Sequence, residues 1–305
     1  MTSPTAMSME QMEKSSRWVA RCQDYVELTK PRILMMVLVA VTLAALSATW
    51  GQPDAFRLIN CLVGTTLVAA SASVFNQWLE RDTDARMRRT ERRPLPTKRV
   101  GGVESLLLGG VTVLGGLAYL LNTCGPAAAT WAAATWLLYV GVYTPLKTRT
   151  WLNTLVGAIP GAMPVLIGWS AAGGPLDARA WSMFLILFLW QFPHFMAIAW
   201  LYRAQYGLAG MQMLTVVDPT GHRAGRQALL TAVSLLLVSV LPAVFVPMSW
   251  TYLLGSILLG GWHLRRAVEF QRQRDDRSAR DLLRASIIYL PIQLLLVTLL
   301  NVRLI

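Results

Sequence analysis

Asn76, Glu80 and Asp84 stand four residues apart in the stretch Asn76-Gln77-Trp78-Leu79-Glu80-Arg81-Asp82-Thr83-Asp84. On a helix that spacing brings all three onto one face. Two carboxylates and an amide oxygen form a hard, oxygen-only set suited to Mg²⁺. That ion commonly binds through one or two carboxylates together with substrate phosphate oxygens. Arg86, Arg88, Arg89, Arg92 and Arg93 follow at once. Guanidinium groups take phosphate bidentately where geometry allows, so cation and arginines together would draw negative charge off a departing diphosphate. The plainer reading is a solvated loop in which Glu80, Asp82 and Asp84 pair with neighbouring arginines. The four-residue spacing, begun inside an apolar run at Asn76, argues against it.

Other side chains invite the same question. Lys147, after Tyr143-Thr144-Pro145-Leu146, is either a point charge for a phosphate oxygen or an ordinary membrane-surface anchor. Lys30 and Arg32 pose the same choice. His194 lies inside an apolar run beside Trp190, Phe192, Pro193 and Phe195. Ionisable groups at membrane depth are costly and point to function, although a lone histidine is also met as a satisfied interior residue. Gln191, one turn earlier, could support it. His263 reads equally well as an interfacial residue, and His222 has the weakest claim. Cys22, Cys61 and Cys124 are far apart, so neither a disulfide framework nor a zinc site is indicated.

The elements that must position these groups are membrane helices. Of 305 residues, 54% are hydrophobic and 14% charged, too apolar for an ordinary soluble domain. Apolar runs of about twenty residues recur, each enough to cross the hydrocarbon layer. The pattern predicts an all-α, polytopic protein of about nine transmembrane helices around a central cavity. The spans fall near 33–50, 57–79, 102–121, 125–144, 151–172, 180–201, 227–248, 250–264 and 285–302. Residues 1–30 read as a polar tail without a targeting signal, and 31–305 as a single transmembrane domain. Breakers occupy the short turns: Gly51-Gln52-Pro53, Gly125-Pro126 and Gly173-Gly174-Pro175. Gly157, Gly161 and Gly168, with Pro160 and Pro164, predict close packing and a locally broken fifth span. Of 28 Lys and Arg, only Arg57, Arg179 and Arg303 fall on one side, which makes the heavy side, with the N-terminus, cytoplasmic. The net charge of +12 does not indicate nucleic acid, because the charges sit between apolar spans instead of forming a basic domain.

The run Asn76…Glu80…Asp84…Met87…Arg89-Thr90…Arg93-Pro94-Leu95 resembles the first acidic motif of the intramembrane UbiA-type prenyltransferases. Within them it is most similar to the protohaem IX farnesyltransferases, or haem O synthases. Leu28-Thr29-Lys30-Pro31-Arg32 is similar to that family's opening segment. Tyr143 to Lys147, followed by Gly157 to Pro164 and Gly168-Trp169, is similar to its central block. Trp190-Gln191-Phe192-Pro193-His194-Phe195 resembles the segment that sets haem O synthases apart from quinone-pathway members. The resemblance implies a multi-pass enzyme of the cell inner membrane with partners in haem-oxidase assembly. It implies Mg²⁺ on Asn76, Glu80 and Asp84, and farnesyl diphosphate held by Lys147, Arg89 and Arg93, with Lys30, Arg32 and Tyr143 also in contact. The acceptor would be haem b against His194 and Gln191. Its vinyl group would attack farnesyl C1, and water would complete haem O.

One block departs from the family pattern. Where haem O synthases usually carry one or two acidic residues before a tyrosine, this chain has Ala204 and Gln205 before Tyr206. Gln205 offers a neutral oxygen only, so a second Mg²⁺ would be held weakly or not at all. Three readings follow: one well-held cation suffices, Asp82 or Asp218 compensates, or catalysis has been lost. The rival functions are prenylation of an aromatic quinone precursor and a silent haem-handling scaffold or transporter.

Overall fold

Helix boundaries fall where the sequence caps or breaks them. Asp54, Asp177 and Asp275 accept hydrogen bonds from backbone amides at the starts of three long helices. Gly51, Gly125 and Gly173, the turn glycines, all have positive φ. The computed structural model describes residues 9–246 and 249–304. The first eight residues of the expected tail and the last two of the expected seventh span lie outside them. No strand occurs among the described residues.

Seven helical stretches are long and apolar enough to cross a membrane. They comprise α2 (Pro31–Ala48), α3 (Ala55–Asp84), α4 (Gly102–Cys124), α7–α8 (Asn153–Ala162 and Pro164–Ala171), α9 (Ala178–Leu201), α12–α13 (His222–Val240 and Pro242–Phe245) and α15 (Asp276–Asn301). The other two expected spans are helical as well. One runs from α5 (Pro126–Trp136) through a π-helix (Leu137–Tyr143) into α6 (Thr144–Leu146); the other is the first part of α14 (Trp250–Gln273). Val103, Leu107, Val111 and Leu114 form an exposed apolar stripe on α4, a surface suited to lipid.

Several helices outrun their apolar stretches. α3 continues to Asp84 instead of 79, α14 to Gln273 instead of 264, and α15 starts at Asp276 instead of 285. Hydropathy marks the lipid-facing part, whereas backbone hydrogen bonding carries on into the polar layer. Pairs such as Arg266–Glu269 at 2.7 Å line that extension. The polar residues 1–30 also fold in part, as α1 (Met9–Leu28). Leu28 is fully buried against Val74, Leu95 and Val100, Arg99 pairs with Asp24, and Arg21 meets Glu104 at 2.6 Å.

The core is divided among apolar clusters that join neighbouring helices. The fifth span breaks at Met163, between Pro160 and Pro164, as expected from its prolines. Gly168 lies directly against the Val41 backbone of α2. A methyl group there would meet a carbonyl that cannot rotate aside, so Gly168→Ala is expected to destabilise the protein by about 1–3 kcal/mol. Thermal unfolding in detergent reads this as a lower midpoint. Cys61 and Cys124, remote in sequence, share one buried cluster between α3 and α4.

Candidate active site

At the C-terminal end of α3, Asn76, Glu80 and Asp84 are 1%, 8% and 1% exposed. Burial of three polar side chains on one face excludes the solvated-loop reading. Each faces a cation from a different segment. Lys30 Nζ donates to Asn76 Oδ1 at 2.5 Å, Lys147 Nζ approaches Glu80 Oε1 at 2.6 Å, and Arg93 donates to Asp84 Oδ2 at 2.7 Å. With all three cations charged, two carboxylates leave a net +1. A third cation in excess of two carboxylates gives the site a positive potential whenever Lys30 is charged.

Local structure explains how the three cations arrive. Lys30 caps α2 with φ of 52°, an uncommon conformation for a residue with a side chain. Gln77 holds it there by donating to the Leu28 carbonyl at 2.9 Å, at the end of α1. Burial pushes the Lys30 ammonium down to about 7, against the pull of Glu80. Lys147 follows the π-helix, a form found often at functional sites. Pro145 has no N–H, which leaves the Gly141 carbonyl without its usual donor, and the wider turns precede it. Thr144 donates its hydroxyl to Tyr139 O at 2.8 Å and accepts from Asn76 Nδ2 at 3.1 Å, tying this helix to α3. Lys147 also lies 4.6 Å from the Tyr143 ring centroid. Burial is the largest single influence and disfavours its charge, yet the Glu80 carboxylate together with Tyr143 and Tyr139 more than offsets it and raises its pKa above the ordinary value. Arg93 belongs to the 85–101 loop, which Thr90 fastens by donating to Asp84 O at 2.9 Å.

The remaining candidates divide. Arg89 is exposed and stacks 5.1 Å from the Tyr202 ring, at the edge of the site. Arg32 is exposed, and no described residue forms a hydrogen bond or ion pair with it. Asp82 points outward toward Arg81 at 3.8 Å and does not join the acidic face. Asp218 does not fold back either. It caps a turn by accepting from Thr220 Oγ1 at 2.5 Å and Arg223 N at 2.8 Å, and the Thr220 hydroxyl foremost holds its carboxyl below the usual range. Among the described residues, neither carboxylate forms a hydrogen bond or ion pair with Gln205 or with the acidic face. Gln205 sits on α10 (Arg203–Leu208), and its Oε1 is buried without a partner. Tyr206 beside it packs on Met87 of the 85–101 loop, and Gln212 N donates to Lys147 O at 2.7 Å.

Deeper in the bundle, Gln191 donates to Ala158 O at 2.9 Å and Leu187 O at 3.2 Å, filling the notch left by Gly161. It does not serve His194, whose Nδ1 is 2.8 Å from Ser286 Oγ. His263 is 1% exposed, so it is an interior residue and not an interfacial one. His222 lies on the surface beside Arg274 at 3.1 Å. The sequence singles out Lys30 and Arg93 but not their pairing with Asn76 and Asp84, and it holds no separable signal for the Thr144 link or Ser286, because each acts through a partner dozens of residues away or in a loop.

Oxygen donors without nitrogen or sulfur are the set a Mg²⁺ ion prefers. Glu80 Oε1 lies 2.6 Å from Lys147 Nζ, and the amide and the two carboxylates of this face offer oxygen only. Asn76, Glu80 and Asp84 therefore fit such an ion. The family model for the UbiA prenyltransferase family matches residues 35–289. The chain belongs to the UbiA prenyltransferase family. Its similar proteins include the protoheme IX farnesyltransferase of Solibacter usitatus, 40% identical and covering 88% of this chain and 96% of that one. That of Rhodopirellula baltica is 44% identical and covers 90% and 98%. Among solved structures, a digeranylgeranylglyceryl phosphate synthase superposes with a TM-score of 0.80 at 15% identity, covering 93% and 99% of the two chains. A UbiA homolog from Archaeoglobus fulgidus bound to DMAPP and Mg²⁺ gives 0.67 at 13% identity, covering 91% and 100%. These two likenesses establish the fold.

Proposed function

We infer that this protein transfers a farnesyl group from farnesyl diphosphate to a vinyl group of haem b, giving haem O and diphosphate. The observation that carries this reading is the convergence of Lys30, Lys147 and Arg93 on the buried face of Asn76, Glu80 and Asp84, in a chain 40% and 44% identical to two protohaem IX farnesyltransferases. Lys147 and Arg93 bind the diphosphate, Lys30 adds a third donor, and Arg89 guides it from the rim. The C1–O bond breaks with its electron pair leaving on the diphosphate. The vinyl π electrons form the new bond to C1, and water captures the resulting cation with loss of a proton. Mg²⁺, when bound by Asn76, Glu80 and Asp84, supplies positive charge to the leaving oxygens. Tyr139 and Tyr143 wall the site and shield the allylic carbon from water until the acceptor reacts.

The helices make it a multi-pass protein, which we place in the inner membrane, with nine spans and the N-terminus on the cytoplasmic side. Residues 31–305 form one transmembrane domain. Docking to oxidase-assembly proteins follows from the same assignment.

With Ala204 and Gln205 in the second motif, one cation carries the reaction. Gln205→Asp is expected to lower the Mg²⁺ concentration for half-maximal rate severalfold, because a charged oxygen replaces the unpartnered amide oxygen. A magnesium titration of initial rates checks it. The acceptor is tested by offering labelled farnesyl diphosphate together with haem b and an aromatic acid. Label in the porphyrin fraction alone is expected; label in the aromatic product would assign the chain to quinone-type chemistry.

A further inference from the structure

His194 stands on α9 with its ring nearly parallel to that of Trp190, centroids 4.6 Å apart at 24°. Its Nδ1 lies 2.8 Å from Ser286 Oγ on α15. Ser286 is fully buried, and its hydroxyl donates to the Leu283 carbonyl at 2.7 Å. A hydroxyl has one proton to give. With that proton on Leu283 O, Ser286 Oγ can only accept from the histidine. His194 is thereby fixed with its proton on Nδ1 and the lone pair on Nε2. An imidazolium at membrane depth would be costly, which keeps the ring neutral.

The ring is fixed in orientation as well as tautomer. Trp190 Nε1 donates to the backbone carbonyl of the same Ser286 at 2.7 Å, which pins the indole against the imidazole. Phe195 meets the imidazole edge-on at 5.5 Å. Ser286 therefore anchors the histidine directly through Oγ and indirectly through its carbonyl. Nε2 makes no hydrogen bond to any described residue. A neutral imidazole with one N–H anchored and the other nitrogen bare is the arrangement of a metal-ligating histidine.

The position suits the acceptor. His194 is seven residues from the end of α9 and Asn76 eight from the end of α3. At 1.5 Å per residue both lie about 10–12 Å inside the bundle. Those helix ends meet through Met87 and Tyr206, so they belong to one end of the molecule.

We propose that Ser286 is a positioning residue that fixes the tautomer and plane of His194 so that Nε2 ligates the iron of the haem acceptor. This rests on haem b being the acceptor. The family resemblance implies only that His194 meets haem; its ligating atom and the residue that sets it are read from the α9–α15 contact.

The test uses full-length protein in detergent with haem b, read by optical titration and by the iron–histidine stretch in resonance Raman of the ferrous form. His194→Ala is expected to abolish that stretch, and added imidazole to restore it. Ser286→Ala, which removes only the hydroxyl, is expected to shift the stretch and weaken haem binding about 10- to 100-fold. His263→Ala, on α14 with its ring 5.0 Å from that of Tyr289, is expected to leave the stretch in place. Retention of the wild-type stretch in His194→Ala, or an unshifted stretch in Ser286→Ala, would overturn the proposal while product formation on haem kept the function. Wild-type protein that binds no haem and prenylates another acceptor would overturn both.

Discussion

Glu80→Gln and Asp84→Asn are each expected to lower turnover by about two to three orders of magnitude while the protein stays folded. Both substitutions keep the shape of the side chain and remove one negative charge. Each carboxylate holds a cation in place: Lys147 at 2.6 Å for Glu80 and Arg93 at 2.7 Å for Asp84. Both would also ligate Mg²⁺. Losing one carboxylate weakens the cation and frees the partner side chain together, so the effects are not independent. Breaking a well-buried pair costs up to about 3–5 kcal/mol. The apolar clusters that join the helices lie elsewhere and are untouched. Initial rates measure the first effect, and circular dichroism with thermal unfolding the second. Full turnover in both variants would refute the assignment of the acidic face.

Lys147→Met is expected to lower kcat/KM for the prenyl diphosphate by roughly 10- to 150-fold, the equivalent of losing one charge-assisted hydrogen bond of about 1.5–3 kcal/mol. Methionine keeps the length of the stem and its packing on Tyr143, so the loss isolates the charge. Glu80 is then left without its counter-cation, and Mg²⁺ should bind more tightly even as the diphosphate binds less well. Opposite shifts in the two titrations distinguish a phosphate ligand from a membrane-surface anchor. An anchor would leave both unchanged.

Much of this was legible in the chain because the bilayer simplifies the code. Twenty-residue apolar runs and glycine-proline turns gave helices and joints without any knowledge of packing. The four-residue spacing of Asn76, Glu80 and Asp84 gave a polar face, since helical period alone decides it. The rest depended on contacts between distant segments. Lys30 reaches Asn76 across 46 residues, and Ser286 reaches His194 across 92; neither spacing is periodic. Hydropathy also stops at the edge of the hydrocarbon, which is why the ends of α3, α14 and α15 and the whole of α1 were missed. Gln191 reads as a partner of His194 from helical spacing, but the gap at Gly161 draws it to the opposite side.

The most direct test is incubation of purified protein with haem b and farnesyl diphosphate, with Mg²⁺ or with a chelator, followed by mass analysis of the extracted haems. A product with the mass of hydroxyethylfarnesyl haem, formed with Mg²⁺ and missing with the chelator, is the predicted result. Unaltered haem b from folded, magnesium-supplied protein would contradict the account.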